Sequence, residues 1–570
     1  MLRLALITFV FFASPVFGEG PLARLQGISD PQLEASIYEI LGATKAVPED
    51  EVAIRRDLRT AQDRVMRYLR AQGYYAATIQ GDIGRDGFPV LVITTASAFT
   101  IGDISVETGD NEADIVARRA IDNPGDVALT AEWVIRAEAL AQAALENAGW
   151  PEAQAQPREV IIDHSNNSGD IRFLFQAGRY SRYGGIELQT EEWRQEFIER
   201  LAMFVPGAPA QTSAINAFEA RVEGLSSVRE ARISLSEPVD GSDIRSLNVE
   251  LTPAPRHSIE ATLSLSTTEG VGIGASWSRR NLFGGDETLS LSAELASLVQ
   301  SLEAEVALPY WQRIDQRLAV RSGLKSEDTD AFQQNEFTAG VTLYREINDD
   351  LDLRIGGLID ISRVTDASGE RDINSARLTS ALAFDQRDDP LDPQSGVQAA
   401  LIINPGFSFG DAEATYVQTE IRSSAYYPIS NHFTAAARIR LGTIVGASAI
   451  DLAADQRFYS GGGGSARGFE YQSLSPVGAD GAPSGGLSVT EFNAELRWRG
   501  EGRWGAVAFM DTAFAGASRT PEFDNLRTGV GLGLRYYFDF APVRFDIATP
   551  MDRRSGEDPI HVYISIGQAF

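Results

Sequence analysis

Apolar and polar residues alternate through the second half of the chain, beginning just after Pro253-Ala254-Pro255. Every second residue is apolar within residues 259–265, and the same period recurs within residues 289–295, 337–343 and 433–441. A period of two places successive side chains on opposite faces of an extended strand. These segments therefore predict β-strands with one apolar face and one polar face.

The alternating region, residues 255–570, is too long for one soluble sandwich, whose core rarely needs more than about 100–200 residues. A membrane-spanning strand takes about 9–11 residues, and about 20 residues are used here per strand and connection. We therefore predict a transmembrane β-barrel of about sixteen strands. Barrels of about fourteen or about eighteen strands are the alternatives. The barrel must close, because lipid cannot satisfy the hydrogen-bonding groups of an open strand edge.

The alternation continues to the end of the chain. Four apolar residues fall on one predicted outward face of the last strand: Val562, Ile564, Ile566 and Phe570. Polar Gln568 interrupts this face. We expect the last strand to meet the first, Ile259 to Leu265, at a seam where the barrel closes.

The amino-terminal region has a different texture. Residues 1–18 combine Arg3, an apolar run and small residues near Gly18, which predicts a secretory signal peptide. Helical periods then alternate with short strands as far as residue 254. The chain without its signal peptide is therefore predicted to be mainly β, with α/β modules ahead of the barrel.

The region ahead of the barrel divides into three similar units. Each has the order strand–helix–helix–strand–strand, and we predict domains at residues 19–98, 99–180 and 181–254. One irregular α/β domain of about 230 residues is the alternative.

Composition excludes several classes of function. The chain has 50 Lys and Arg residues against 79 Asp and Glu, a formal net charge of -29, and no cysteine. Nucleic acid requires a basic surface, so it is not an expected partner. Thiolate chemistry is absent, the four histidines are scattered, and no H-E-x-x-H motif occurs. We therefore expect no catalytic residues, no metal and no cofactor.

Five short motifs follow one another along the predicted barrel. They are Asn281-Leu282-Phe283-Gly284, Asp385 to Pro390, the segment Ala466-Arg467-Gly468-Phe469 after a glycine run, Phe509-Met510-Asp511, and Pro542 to Ala548. In this order on a barrel pattern, the motifs resemble the BamA/TamA superfamily of outer-membrane assembly factors. That family's lumenal-loop motif is usually written (V/I)-R-G-(F/Y), from which this chain departs in having Ala466 at the first place.

The resemblance implies a location and a function. The three modules would be periplasmic POTRA domains beneath a barrel in the outer membrane, and their number points to the TamA branch. A protein of that branch would be the outer-membrane component of a translocation and assembly module. It would assist insertion of barrel proteins, such as autotransporters, by strand augmentation at the seam.

The resemblance also implies partners and rivals. The expected partners are a TamB-like inner-membrane-anchored periplasmic protein, unfolded outer-membrane clients and outer-membrane lipid. A two-partner-secretion-type transporter, exporting one dedicated protein through the lumen, is the alternative. A passive pore with the modules as a stalk is a third possibility.

By the same resemblance, Arg467 lies in a loop that folds back into the lumen. A guanidinium there needs a carboxylate, and we expect Asp511 first and Glu495 second. An arginine in a solvated extracellular loop is the alternative.

Overall fold

The computed structural model describes residues 20–21, 23–44, 50–85, 87–122, 125–239, 241–266, 270–539, 542–566 and 568. The predicted signal segment and the terminal Phe570 lie outside these ranges. Within them, no helix is long and apolar enough to cross a membrane.

The first module packs two helices on a three-stranded sheet. Its elements are β1 (Gly20–Pro21), β2 (Arg24–Gln26), α1 (Pro31–Leu41), β3 (Ala43–Thr44), α2 (Glu51–Ala71), β4 (Thr78–Ile83) and β5 (Pro89–Thr94). The sheet order is β2-β5-β4, while β1 and β3 form a separate pair. Helix α2 begins after Asp50, whose side chain accepts a hydrogen bond from the Val52 amide at 3.0 Å. Its buried residues recur every three or four positions and share a core with the sheet.

The second module repeats this arrangement. Its elements are β6 (Thr100–Glu107), α3 (Asn111–Ala120), α4 (Ala131–Ala148), β7 (Gln154–Asp163) and β8 (Ser168–Gln176), and the sheet order is β6-β8-β7. Helix α4 ends at Gly149, whose φ of 117° lies in the left-handed region that glycine adopts readily. Trp133 and Leu145 of α4 share a core with Phe173 of β8.

The third module contains β9 (Arg182–Leu188), α5 (Gln195–Ala202), α6 (Thr212–Glu223), β10 (Val228–Leu235) and β11 (Ile244–Pro253), with sheet order β10-β11-β9. All three modules thus contain the order strand–helix–helix–strand–strand, with the short strand β3 added between the helices of the first module. The domain limits at residues 98, 180 and 254 stay predictions.

The rest of the chain forms one antiparallel sheet of sixteen strands in chain order, which confirms the predicted fold class and strand number. The strands are β12 (His257–Ser266), β13 (Gly270–Arg280), β14 (Thr288–Ala296), β15 (Val299–Pro309), β16 (Gln316–Asp328), β17 (Gln333–Asn348), β18 (Leu351–Asp366), β19 (Gly369–Asp385), β20 (Gly396–Gly410), β21 (Ala414–Ser430), β22 (Phe433–Val445), β23 (Ser488–Arg499), β24 (Trp504–Gly516), β25 (Arg527–Tyr537), β26 (Pro542–Pro550) and β27 (His561–Ile566).

The two faces of this sheet differ in chemistry. Large apolar side chains are exposed on one face, among them Ile273, Leu291 and Leu302. Charged side chains such as Asp360 and Glu420 are buried on the other face. A wall that meets lipid outside and encloses polar groups inside requires this alternation.

We expect residues 19–253 to fold without the barrel, because the first two modules each enclose an apolar core of their own. Circular dichroism of the purified fragment should show mixed helix and strand, with a cooperative thermal transition. A fragment that is unfolded on its own would contradict independent modules.

Candidate functional site

The connection between β22 and β23, residues 446–487, folds back onto the inner face of the barrel. Tyr416 of β21 donates a hydrogen bond to Gln456 Oε1 at 2.7 Å, and Gln456 Nε2 donates to Ser375 Oγ of β19 at 2.9 Å. Further along, the Gly468 amide donates to the Tyr563 hydroxyl of β27 at 3.0 Å. The loop therefore crosses the lumen from β19 to β27.

Arg467 lies deep in this loop and is 1% exposed. Its Nε donates to Asp511 Oδ2 at 2.6 Å and its Nη2 to Asp511 Oδ1 at 3.0 Å, the two-pronged geometry that suits a guanidinium and a carboxylate. Nη2 also lies 2.7 Å from Glu495 Oε1, and Nη1 donates to Asp546 Oδ2 at 3.1 Å. One guanidinium is thus shared by three carboxylates, from β24, β23 and β26.

The wall around Arg467 is shaped to receive it. The guanidinium carbon lies 3.5 Å from the ring centroid of Phe509, a cation–π contact. A Cβ atom on Gly529 would lie 1.9 Å from the Arg467 carbonyl oxygen, so β25 can pass beneath the loop only with glycine there. A Cβ on Gly531 would meet the Phe509 ring at 2.4 Å.

The other motif residues hold the loop in place. Ala466 and Phe469 are buried and pack with Leu474 and Ala513. Gly468 has a φ of 98°, which disfavours any residue with a side chain. The motif is therefore a packed turn rather than an extended solvated loop.

The charges of this cluster are nearly balanced. Burial by itself lowers the pKa of Arg467, but the neighbouring Asp511 and Glu495 carboxylates outweigh burial, and the pKa is raised. Arg497 Nε binds Glu495 at 2.8 Å, and Arg535 Nη1 binds Asp546. Arg467 therefore stays charged throughout the physiological pH range.

The structure brings together more groups than the sequence indicated. Asp511 and Glu495 were expected beside Arg467, and both contact it. Asp546 and Phe509 occur in the sequence motifs but were not predicted to contact Arg467, and the contact of Tyr563 with the loop was not predicted. Alternation indicates the first two contacts. Phe509 shares one face of β24 with Asp511, and Asp546 shares one face of β26 with Arg544.

The predicted position of Gln568 on the outward face of the last strand was wrong. Strand β27 ends at Ile566, and Gln568 does not continue its outward face. Instead its Oε1 accepts from Nε of the buried Arg535 at 3.3 Å, and its Nε2 donates to Asp392 at 2.8 Å. A polar side chain at the end of the strand turns towards charged partners, because lipid offers it none.

The seam lies between β12 and β27. Cα atoms of these strands approach within 8 Å, so the sheet curls round on itself. Strand β12 pairs with β13 over ten residues, but β27 pairs with β26 over only six. Among the described residues, no backbone ladder joins β12 to β27. Ile259 is 79% exposed and Val562 is 39% exposed; the Leu265 side chain and Phe570 lie outside the described residues.

The turn between β13 and β14 binds two segments of the third module, residues 188–201 and 221–231, which form one compact unit with the barrel. Asp286 is 4% exposed and accepts hydrogen bonds from the Ser226 amide and hydroxyl and from the Ser227 amide, at 2.8–3.1 Å. Its φ of 61° is unusual for a residue with a side chain. This turn is the Asn281-Leu282-Phe283-Gly284 motif and its continuation.

A second set of contacts joins the same turn to the module. The Arg194 amide donates to the Gly284 carbonyl at 2.8 Å, and Arg194 Nη2 lies 2.9 Å from Glu287 Oε1. Asn281 Nδ2 donates to the Glu192 carbonyl at 2.9 Å. We call residues 281–287 with these partners the module latch. The sequence motif gave no indication of this role.

No metal site emerges in the part of the chain that the structure describes, where no three acidic or histidine side chains are grouped to hold an ion. The acidic turn at 385–390 uses its carboxylates within the turn, on backbone amides and, for Asp385, on the Arg387 guanidinium. Asp388 Oδ1 accepts from the amides of Gln394 and Ser395 at 3.0 and 3.1 Å.

A family model supports the assignment that the geometry suggests. The Omp85 superfamily domain matches residues 281–570, which are more than half of the 570-residue chain. The chain belongs to the Omp85 superfamily. BamA from Haemophilus ducreyi lacking POTRA domains 1–3 is 16% identical with a TM-score of 0.71, over 82% of this chain and 100% of that one. CdiB from Acinetobacter baumannii is 14% identical with a TM-score of 0.46, over 95% and 99%.

Membership of the Omp85 superfamily shows where in the cell the barrel and the modules lie. Barrels of this superfamily lie in the outer membrane, and their POTRA modules are periplasmic. The barrel of this Omp85 chain is therefore an outer-membrane barrel with POTRA-like modules in the periplasm, as predicted. Because strands alternate in direction from β12, the module latch is at the periplasmic end and the 446–487 loop belongs to the extracellular end.

Replacing Arg467 with alanine should leave three buried carboxylates without their shared cation. Breaking a buried ion pair costs about 3–5 kcal/mol, so the folded barrel should unfold at a lower temperature in a heat-modifiability assay on gels. Arg354→Ala, at an exposed position on β18, is the control and should unfold like the wild type.

A charge swap at this site should not restore stability. With Arg467→Asp and Asp511→Arg together, the new loop carboxylate would face Glu495 and Asp546. Recovery of the wild-type unfolding temperature would mean that Asp511 alone holds the loop, contrary to the three-carboxylate arrangement.

Asp286→Ala should release the module latch without unfolding the barrel. Each buried donor left unsatisfied costs about 1–3 kcal/mol, so protease cleavage within residues 188–231 should rise about tenfold. Asp349→Ala, in an exposed periplasmic turn between β17 and β18, is the matched control. Equal cleavage of both variants would show that the latch does not hold these segments.

Proposed function

We propose that this Omp85 protein is the outer-membrane component of a translocation and assembly module, which inserts and folds barrel proteins such as autotransporters. The observation that carries the proposal is the seam. Two strands lie side by side there, and no ladder joins them among the described residues. Such a junction can open at a lower cost than any other in this wall, where neighbouring strands pair over at least six residues.

An open seam presents the backbone groups of a strand edge. Those groups pair readily with another extended segment, whatever its sequence, because the bonds come from the main chain. An incoming client strand would therefore add to β12, the longer of the two seam strands. Each added strand would then provide the edge for the next one, and no covalent step or nucleotide is required.

The lumen favours lateral entry over export. The 446–487 loop contacts inner-face residues from β19 to β27, and Arg467 anchors it to three strands. A protein passing through the lumen would have to displace this loop and separate Arg467 from its carboxylates. Client entry at the seam leaves these contacts in place.

The modules would bind the periplasmic partner. Their predicted number, three, supports the TamA branch over a two-partner-secretion transporter. A TamB-like inner-membrane-anchored protein and unfolded clients would bind along the modules' sheet edges, again through strand pairing.

Locking the seam tests this function directly. Pairs of cysteines, one within residues 258–262 and one within 561–565, can be introduced without competing thiols, because the chain has no cysteine. Only pairs whose Cα atoms lie within about 7 Å can bridge, so closure is verified by gel shift. The locked protein should fail to support several outer-membrane barrel proteins in a proteome comparison, and reductant should restore them.

A matched control locks a junction that is already paired. Phe545→Cys with Ile564→Cys joins β26 to β27 at facing positions and should leave client insertion intact. Full client insertion with the seam closed would refute lateral entry. Loss of a single secreted protein, with other barrel proteins unchanged, would favour the two-partner-secretion alternative.

A further inference from the structure

The second helix of each of the first two modules is followed by a glycine with a left-handed backbone. Gly73 lies just after α2 with a φ of 88°, and Gly149 lies directly after α4 with a φ of 117°. This conformation ends a helix by turning the chain away from its axis, and it suits glycine because a Cβ atom would be strained there. The two glycines therefore occupy equivalent places in the two modules.

Each of these glycines binds the next module through its carbonyl oxygen. The Phe99 amide donates to the Gly73 carbonyl at 2.9 Å, and the Ser181 amide donates to the Gly149 carbonyl at 2.7 Å. Phe99 directly precedes β6 and Ser181 directly precedes β9, so both donors stand immediately before the first strand of the next module. We call the contacts around Gly73 joint 1 and those around Gly149 joint 2. The same backbone bond occurs in both joints.

Joint 1 is apolar. Tyr75 of the first module meets the fully buried Phe99 edge to face, with ring centroids 5.7 Å apart. Tyr75 also packs against the apolar core of the second module. An aromatic side chain that packs into the core of a neighbouring module favours a rigid junction, because close-packed side chains leave little room for movement.

Joint 2 is largely polar. Asn147 Oδ1 of α4 accepts a hydrogen bond from the Ser213 amide at 3.0 Å. Amides in the first turn of a helix have no acceptor within that helix, so Asn147 caps the start of α6 from the preceding module. Glu152 Oε1 of the second module lies 2.6 Å from Nη1 of Arg245 in β11, and Arg245 is 5% exposed. Two side-chain contacts therefore support the backbone bond of this joint.

Neither joint has room for a side chain at its glycine. A Cβ atom on Gly73 would lie 3.1 Å from the Leu129 carbonyl oxygen, and one on Gly149 would lie 2.4 Å from the Tyr180 ring. Gly109, between β6 and α3, has a φ of 82°, but a Cβ atom there would meet nothing within 4 Å. Alanine would strain the backbone at all three glycines, but it would displace a neighbour only at the joints.

We propose that joints 1 and 2 are rigid, so that the first two modules and the adjoining part of the third move as one body. Domains connected by a linker move relative to one another unless their interface holds them. Here a repeated backbone bond, a shared aromatic ring and a helix cap cross the two boundaries, and all of these residues belong to one compact unit of the chain.

Rigid joints would have a consequence for the periplasmic partner. A partner bound at the first module would be held at a fixed distance from the adjoining part of the third module. That consequence rests on the proposed function, whereas the rigidity does not, because it is argued from contacts between modules alone. The experiment below measures rigidity without any client or partner, so its failure is distinguishable from failure of the proposed function.

Distances between spin labels test the joints in the full-length chain in detergent. The chain has no cysteine, so labels attach only to introduced cysteines, here at three exposed positions: Arg59→Cys, Ala139→Cys and Asn216→Cys. In pulsed electron paramagnetic resonance, the first label pair, 59 with 139, reports on joint 1, and the second, 139 with 216, reports on joint 2. Each pair should give one narrow distance distribution. A broad distribution for either pair would overturn the proposal.

Alanine at each glycine should loosen one joint only. Gly73→Ala should broaden the distribution of the first label pair and leave the second narrow, whereas Gly149→Ala should do the reverse. Gly109→Ala is the matched control for backbone strain and should leave both distributions unchanged. Narrow distributions in all three variants, or equal broadening by the control, would overturn the proposal.

Two further variants apply if a glycine variant does not fold. Asn147→Ala should preserve α4, because alanine favours a helix more than asparagine does, while the Ser213 amide loses its acceptor across the boundary. It should broaden the second label pair alone. Tyr75→Ala removes the ring that packs against the second module and should broaden the first pair alone. An unchanged distribution across the altered joint would overturn the rigid-joint proposal.

Discussion

The Arg467 guanidinium is the interaction on which the interior of this barrel depends. It joins the lumenal loop to three strands through Asp511, Glu495 and Asp546. Three carboxylates at this distance from one another would repel without a cation between them, and a buried arginine without them would be equally unstable. Loop and wall therefore stabilise each other. The glycines of β25 provide the space in which this contact forms.

The periplasmic end has a different kind of constraint. The module latch fixes residues 188–201 and 221–231 to the turn that joins β13 to β14. Strand β13 is the ladder partner of β12, whose other edge lies at the seam. The strand beside the opening is thus held by a neighbour that is itself tied to the third module. In the proposed function, a movement of those segments would therefore change the position of the strand edge that a client would meet.

Particular residues show how far sequence reasoning reaches. Alternation within residues 259–265 or 433–441 indicates strands directly, because one lipid-facing and one polar face leave a period of two in the chain. The pairing of Arg467 with Asp511 and Glu495 could be anticipated, but only through resemblance to a family motif. The contact of Asp546 with Arg467 was not predicted, because the two residues are remote in sequence, and Gln568 was misplaced because a pattern does not reveal where a strand ends.

The sequence by itself determined the class of fold, an approximate number of strands and the chain order of the modules. These follow from local properties, since hydropathy period, turn residues and segment length act over a few neighbours. Only the tertiary structure decided which charges meet in the lumen and that Asp286 is buried against Ser226 and Ser227. Such outcomes depend on register and loop path, because these set the distances between charged groups that are far apart in the chain.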